Sequence, residues 1–304
     1  MPTETVYGLA ARADDPQAVG RIYKAKNRPS INPLILHVSS IDQAKRYAFI
    51  TREAKAIAHQ FWPGPLTLVL PLHDNAQLAP QVTAGLKTIA IRCPAHQTAL
   101  KILNKLSFPL VAPSANRSGT VSPTRAIDVA HSLGDEVDMI IADKNITVGL
   151  ESTILDLSVS PPVILRQGAI SADDLSPLLG EVSLSEHNPE KPKAPGQMFR
   201  HYAPRTPLRL NAVDVAPDEA LLAFGATRFM GIKGGGKASD LPEDSLRNLS
   251  ESGDLEEAAR NLYAMMHDLD RPGKSAIAVM PIPEKGIGLA INERLSRAAS
   301  GNES

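Results

Sequence analysis

Short β-branched apolar runs that alternate with helical patterns constrain the fold of this sequence most strongly. Apolar runs of four to eight residues that are rich in Val, Ile and Leu are typical of strands. They lie at residues 34–38, 66–70, 88–93, 108–112, 138–142, 153–157 and 162–166. The segments between several of them carry apolar residues at three- and four-residue spacing, which is typical of helices. These helical segments are 16–26, 51–62, 96–107 and 124–134.

Capping signals agree with these helices. Gly134 closes one of them, and Ser171 with Asp174 forms the pattern of a capping box for a further helix. Strands that alternate with helices predict an α/β domain with a substantial sheet.

A change of composition divides the chain. Residues 185–197 are rich in proline, lysine and polar residues, as linkers are. The sequence therefore predicts a larger α/β domain at 1–184, a linker at 185–205 and a smaller α/β domain at 206–304. In the smaller domain we expect strands at 208–210, 219–225 and 275–282, and helices at 254–270 and 289–299.

Charge and cysteine content exclude several classes of protein. The formal net charge of the 304 residues is -1, so the chain is not a polycation that would bind nucleic acid by charge alone. A single cysteine, Cys93, excludes an internal disulfide and a cysteine-rich zinc site. No run approaches the roughly 18 apolar residues of a membrane span, and the first residues do not have the pattern of a signal peptide. We expect a cytoplasmic protein.

A basic cluster lies at 21–28. Pro29 disfavours helix at Arg28, so we expect an extended chain there. Side chains two residues apart in an extended segment share a face, so Lys26 and Arg28 would form a clamp for phosphate oxygens. Taken alone, the stretch is explained more simply as the solvated basic end of a helix.

Polar groups follow several predicted strands. Ser114 and Asn116 come after the strand at 108–112, and Ser122 precedes a predicted helix whose N-terminus would receive a phosphate. A plain loop is the alternative, since these residue types are common in turns. Arg92 and Arg166 stand near strand ends, where a single arginine is more often a surface charge than a ligand. The basic groups together indicate an anionic ligand in a crevice at the strand ends.

Sequence motifs for other kinds of chemistry are incomplete or absent. The stretch 231–239 (GIKGGGKAS) nearly matches a P-loop, but Ala238 stands where the magnesium-binding hydroxyl is needed. Cys93 lies in an apolar strand and is interpreted as a buried small residue. No covalent intermediate is indicated, whereas phosphate chemistry that depends on positioning and positive charge stays open.

Several ordered motifs resemble the threonylcarbamoyl-AMP synthase family, whose catalytic unit is the YrdC-like domain. They are PTETVYGL, KNRPSINPLILHV, FWPGPLTLVL, TIAIRCP, APSANRSGTVSPT, LESTILDL and ILRQG, and they cover nearly all of residues 2–170. The segments APGQMFRHYAP and GIGLAINERLSRAA resemble the connector and the extra domain of the longer, two-domain members.

The resemblance implies a fold, a reaction and a set of site residues. The fold is a YrdC-like twisted mixed or parallel sheet with flanking helices, followed by a smaller Rossmann-like α/β domain. The reaction joins L-threonine, bicarbonate and ATP into threonylcarbamoyl-AMP and pyrophosphate. Threonine or its carbamate would be held by Thr3, His37, Arg92 and Ser152. ATP would be held by Lys26, Arg28, Thr88, Ala112, Ser114, Asn116, Ser122, Arg166 and Tyr202.

Partners follow from the same resemblance. Mg²⁺ is expected on the ATP phosphates without direct protein ligands, and Tyr202 of the linker would fold over the nucleotide as part of a lid. A threonylcarbamoyl transferase would pass the product to tRNA, so contact with tRNA is indirect, and no membrane is involved. Family members carry about one further strand and helix before PTETVYG, and we expect their absence here to expose a sheet edge.

Other functions fit parts of the sequence. A non-catalytic module that binds tRNA or double-stranded RNA would use the same basic residues without turning over ATP. A carbamoyl-adenylate former for metal-centre maturation uses a related domain, but usually with acylphosphatase and zinc-finger segments that this sequence lacks. The smaller domain by itself would suit a sensor of threonine or nucleotide.

Overall fold

Two compact units make up the structure, which is a computed structural model that describes residues 1–185, 202–227 and 230–300. Of the described residues, the first unit holds 1–118, 123–147 and 151–185. The second holds 119–122, 148–150, 202–227 and 230–300. Most of the predicted linker and lid, residues 186–201, lies outside the described residues.

The first unit is built on a mixed sheet. Its described strands, in chain order, are β1 (Ala11–Arg12), β2 (Ile35–His37), β3 (Leu66–Pro71), β4 (Thr88–Arg92), β5 (Leu110–Val111), β6 (Thr153–Asp156), β7 (Val163–Arg166) and β8 (Ser183–Leu184). They are ordered β1-β5-β2-β4-β3-β6-β7-β8. The pairs β2·β4, β3·β6 and β7·β8 are parallel, and the other neighbouring pairs are antiparallel.

Strand alternation gives this sheet two different faces. Leu36, Leu68 and Ile91 point into the main hydrophobic core, where they are almost completely buried. Ile35 and Ala90 lie on the opposite face with a smaller apolar cluster. Because successive side chains in a strand point to opposite faces, the second face also receives the residues that end β2 and β4.

Helices cover the core face, and their ends follow the sequence signals. In α1 (Pro16–Lys26), the Asp15 side chain accepts from the N–H groups of Gln17 and Ala18, and Asn27 ends the helix with a φ of 49°. The capping box of Ser171 and Asp174 is confirmed. The described helices of this unit are α1 (Pro16–Lys26), α2 (Ile41–Ala44), α3 (Arg52–Phe61), α4 (Gln97–Lys105), α5 (Ala126–Leu133) and α6 (Ala172–Leu179).

The second unit holds, among its described elements, β9 (Leu208–Arg209), β10 (Asp214–Val215), β11 (Ala220–Ala223), β12 (Gly231–Ile232), β13 (Leu246–Asn248), α7 (Leu255–Leu269), β14 (Ile277–Val279) and α8 (Ile287–Ala299). Its strands form a small parallel sheet ordered β13-β11-β14-β9 and a separate parallel pair, β10-β12. Helices α7 and α8 pack against each other, and their buried residues include Leu262, Tyr263 and Leu295. None of the described helices is long and apolar enough to cross a membrane.

Two sequence expectations are wrong. Segment 138–142, predicted as a strand, forms none although it is described throughout, and its Met139 is 73% exposed. Helix α5 begins at Ala126 with Arg125 as its N-cap, so Ser122 does not stand at a helix N-terminus. An apolar run such as 138–142 forms a strand only beside a neighbouring strand, and the composition of the run does not show whether the sheet provides one.

Candidate active site

A row of side chains crosses five strands of the first sheet at one level. The register pairs His37 with Arg92, Arg92 with Thr67, Thr67 with Ile154, and Ile154 with Arg166. Residues paired in this way share a face of the sheet. Four of the five side chains are polar, although all five are at least 90% buried.

Strand directions explain why these residues meet. His37, Arg92 and Arg166 are the last residues of β2, β4 and β7, whereas Thr67 is the second residue of β3. Since β3 runs antiparallel to β4 and parallel to β6, its first residues stand beside the end of β4 and the first residues of β6. The row therefore marks one edge of the sheet, where backbone groups and side chains become available to a ligand.

Arg92 is held from two sides. Its Nη1 donates to Thr5 Oγ1 at 2.9 Å, and its Nη2 lies 2.8 Å from Glu4 Oε1. The Thr5 and Thr3 hydroxyls are 2.9 Å apart, and Thr3 donates to the carbonyl of Val6 at 2.7 Å. Because a guanidinium can only donate and a carbonyl can only accept, the direction is fixed as Arg92 to Thr5 to Thr3 to Val6.

Glu4 is ionised in this environment. Burial acts to raise the pKa of Glu4, but the positive charge of Arg92 and the nearby N–H groups of Ala95 and Glu4 itself outweigh it, so the pKa is lowered. Glu4 Oε1 and Arg92 Nη2, which lie 2.8 Å apart, therefore form a close buried ion pair.

His37 is neutral near pH 7. Burial, and secondly the positive charge of Arg92, lower the pKa of His37 to about 3. Its Nδ1 lies 3.1 Å from the Ile35 carbonyl, which only the protonated Nδ1 tautomer satisfies. Nε2 of the neutral ring is therefore an acceptor, suited to a ligand hydroxyl or N–H.

Ser152 joins the row from the loop before β6. Its hydroxyl lies 2.7 Å from Thr67 Oγ1 and accepts from Arg166 Nη2 at 3.2 Å. Arg166 also donates to the Ser152 carbonyl from Nε and Nη2, at 3.1 and 2.9 Å. This network fixes the position of Ser152 relative to the row.

Lys26 is buried at the end of α1. Its Nζ donates to the carbonyls of Ser114 and Asn116, each at 2.6 Å, and the Lys26 carbonyl accepts from the N–H of Ser118. Burial and the neighbouring charge of Arg28 lower the pKa of Lys26 well below its ordinary value, whereas Glu151 acts to raise it. The lysine thereby fixes the loop that follows β5.

Arg28 does not share a face with Lys26 in the way the sequence predicted. The chain turns through Asn27 in the left-handed region instead of running extended. Arg28 then donates to the carbonyls of Asn32 and Pro33, at 3.3 and 2.9 Å. The predicted extended clamp is therefore wrong, because helix α1 ends at Lys26 and its left-handed cap redirects the chain.

Other predicted ATP residues lie toward the opposite edge of the sheet. Thr88 begins β4, about 13 Å along the strand from Arg92. Ala112 follows β5, which is antiparallel to β2, and its N–H donates to the Ile35 carbonyl. A ligand that reached Thr88 and Arg92 together would have to extend along the sheet face.

Two predicted residues belong to the second unit. The Ser122 side chain is fully buried, and the Ser122 carbonyl lies 3.2 Å from His267 Nε2. Tyr202 is fully buried, with its ring stacked on Tyr263 at 5.9 Å between centroids and the Arg294 guanidinium 5.0 Å from its own ring centre. Tyr202 is thus part of the packing of the second unit.

Sequence reasoning did not select Glu4, Thr5 or Thr67. The TET triplet in PTETVYGL was the available signal for the first two, since buried polar residues at adjacent positions need partners. Thr67 gave no local signal, because it lies inside an apolar run and its partner Ser152 is 85 residues away.

The site has the composition of a binding place for a small ligand with a carboxylate or phosphate group. It combines buried arginines, hydroxyls and a neutral histidine on one face of a mixed sheet.

Two family models match the chain: one described as "Telomere recombination" over residues 1–168, and one described as "Threonylcarbamoyl-AMP synthase, C-terminal domain" over residues 170–300.

Known proteins extend this likeness over nearly the whole chain. The threonylcarbamoyl-AMP synthase of Pyrococcus abyssi is 39% identical, covering 98% of this chain and 89% of that protein. That of Bacillus subtilis is 39% identical, covering 99% and 89%. The crystal structure of P. abyssi Sua5 complexed with L-threonine matches with a TM-score of 0.86 and 36% identity, covering 98% of this chain and 89% of that one.

This chain belongs to the threonylcarbamoyl-AMP synthase family. The predicted mixed α/β fold is confirmed, and the likeness supports the catalytic interpretation over the RNA-binding module.

Proposed function

We propose that the chain is a nucleotidyltransferase that makes threonylcarbamoyl-AMP from L-threonine, bicarbonate and ATP and releases pyrophosphate. The observation that carries this proposal is the buried row of His37, Arg92, Thr67 and Arg166 in a chain of this family. The proposed product would be used by a threonylcarbamoyl transferase that modifies tRNA, and the proposed location is the cytoplasm.

The amino acid would bind at the strand ends. Arg92 supplies a positive charge for the threonine carboxylate, and the acceptor Nε2 of His37 suits its hydroxyl. Ser152 would complete this part of the site, held in place by Thr67 and Arg166. Thr3 is proposed to hold threonine or its carbamate as well, from the turn that its hydroxyl closes by donating to the Val6 carbonyl.

ATP would be bound by the remaining predicted residues. Lys26 would provide positive charge beside the loop of Ser114 and Asn116, whose carbonyls it already binds. Within the first unit, Arg28, Thr88, Ala112 and Arg166 complete the proposed set. Among the described residues no group of three or more His, Cys, Asp or Glu has the arrangement of a metal site. We propose that Mg²⁺ enters on the ATP phosphates, where it offsets their negative charge.

The reaction requires positioning more than covalent catalysis. The threonine amine and bicarbonate first form a carbamate and water. A carbamate oxygen then attacks the α-phosphorus of ATP, the bond to the β-phosphate breaks, and pyrophosphate takes the electron pair. Holding the reactants in line and offsetting phosphate charge accelerates such a step. Burial raises the pKa of Cys93 to about 12, so this thiol is no nucleophile.

Pyrophosphate release from ATP tests the proposal. The assay is run with L-threonine and bicarbonate both present and with each omitted in turn. Release that requires both substrates is the expected result, and it should fall strongly in Arg92→Ala. Release that is independent of threonine, or ATP binding with no release, would contradict the proposed function.

A further inference from the structure

Glu4 and Arg92 form a buried pair of opposite charges. Each residue is 4% exposed, and Glu4 Oε1 lies 2.8 Å from Arg92 Nη2. A single buried charge is strongly unfavourable unless a partner balances it. Each of these two side chains therefore depends on the other to stay in place as an ion.

The backbone position of Glu4 is fixed independently of Arg92. The N–H of Thr147 donates to the Glu4 carbonyl at 3.1 Å. The next turn is closed by Thr3, whose hydroxyl oxygen accepts from the N–H groups of Thr5 and Val6, both at 3.3 Å. Glu4 thus projects from a closed turn, and its carboxylate lies 2.8 Å from the Arg92 guanidinium.

The two supports of Arg92 restrict the orientation of its guanidinium. Thr5 accepts from Nη1, and Glu4 attracts Nη2. The carboxylate oxygens of Glu4 are shielded from solvent, so Glu4 acts on a ligand through Arg92 and not by direct contact. Long side chains bind with less loss of conformational freedom when their orientation is fixed in advance.

We propose that Glu4 is a positioning residue for the amino acid substrate: it holds Arg92 in the row at the strand ends and balances its charge, so that Arg92 is oriented to receive a carboxylate. This inference rests on the proposed function. Within the triplet Thr3-Glu4-Thr5, Glu4 and Thr5 then orient Arg92, whereas Thr3 closes the turn.

The test is Glu4→Gln, which keeps the shape of the side chain and removes its charge. Pyrophosphate release is measured over a range of threonine and a range of ATP concentrations, with the melting temperature recorded for each variant. We expect the KM for threonine to rise about tenfold, as when a charged hydrogen bond is lost, with the KM for ATP within about twofold of wild type. Glu53→Gln, an exposed carboxylate on α3, is the matched control and should change neither KM.

Two further variants keep the test decisive if Glu4→Gln folds poorly. Glu4→Asp retains the charge at a greater distance and should give an intermediate KM for threonine. In an Arg92→Met background, adding Glu4→Gln should not raise the KM for threonine further, since Glu4 would act through Arg92.

Three results would overturn the inference while wild-type release still depends on threonine: an unchanged KM for threonine in Glu4→Gln, an equal rise in both KM values, or additive effects of the two substitutions. Absence of threonine-dependent release from the wild-type chain would instead overturn the proposed function.

Discussion

Thr5→Val removes one hydroxyl from the relay that supports Arg92, with almost no change in side-chain volume. The Thr5 oxygen accepts from Arg92 Nη1 and lies 2.9 Å from the Thr3 hydroxyl. Leaving the buried Nη1 hydrogen without an acceptor costs about 1–3 kcal/mol, and the lost contact with Thr3 adds about 0.5–1.5 kcal/mol. We therefore expect the free energy of unfolding to fall by about 2–4 kcal/mol, which a domain of ordinary stability survives.

Urea unfolding and steady-state kinetics measure the two consequences of Thr5→Val. The midpoint of urea unfolding should move to a lower urea concentration. The m-value should change little, because the surface exposed on unfolding is the same. The KM for threonine should rise while the KM for ATP changes little. Thr147→Val, the same substitution at an exposed position, should stay within about 0.5 kcal/mol of wild type. Unchanged stability together with an unchanged KM for threonine in Thr5→Val would refute the relay.

Three further predictions concern His37, Gly168 and Tyr202. The pKa of His37 is about 3, below its ordinary value of 6.5, so the folded state loses stability as the pH falls from about 6.5 toward 3. In His37→Gln, the melting temperature should therefore depend less on pH between these two values. Gly168→Ala places a Cβ 2.4 Å from the Thr153 N atom, so circular dichroism should show marked destabilisation and release assays lost activity. Tyr202→Ala should cost about 3–5 kcal/mol in thermal or urea unfolding, and Tyr202→Phe, which keeps the ring stacked on Tyr263, much less; equal stability of the two would contradict the packing role of Tyr202.

Local sequence signals predicted the helices well. Helix α1 has the predicted bounds, because Asp15 and Pro16 start it and Asn27 ends it through contacts within a few residues. The capping box of α6 is equally local. Segment 138–142 has the composition of a strand but lacks one, since strand formation also needs a neighbour with free backbone groups, which composition does not specify.

The site was predictable in part. His37, Arg92 and Arg166 were selected as site residues, and the register aligns all three in one row. The arrangement of Lys26 and Arg28 was not predictable from their spacing, because a single left-handed residue at Asn27 separates their directions.

The supporting residues depended on contacts that are distant in sequence. Glu4 and Thr5 meet Arg92 across 87 or more residues, and Thr67 meets Ser152 across 85. Antiparallel pairing of β5 with β2 likewise directs Ala112 away from the strand ends where His37 lies. Such pairings follow from the mixed sheet, and strand patterns alone do not distinguish it from a parallel one.

Following labelled bicarbonate into a nucleotide tests the central claim most directly. The chain is incubated with ¹⁴C-bicarbonate, L-threonine and Mg·ATP, and the nucleotides are separated at once because the product is a reactive anhydride. We predict a new labelled adenylate that forms in step with pyrophosphate and is absent without threonine. Pyrophosphate release with no label in any adenylate, or label incorporated without threonine, would contradict the account.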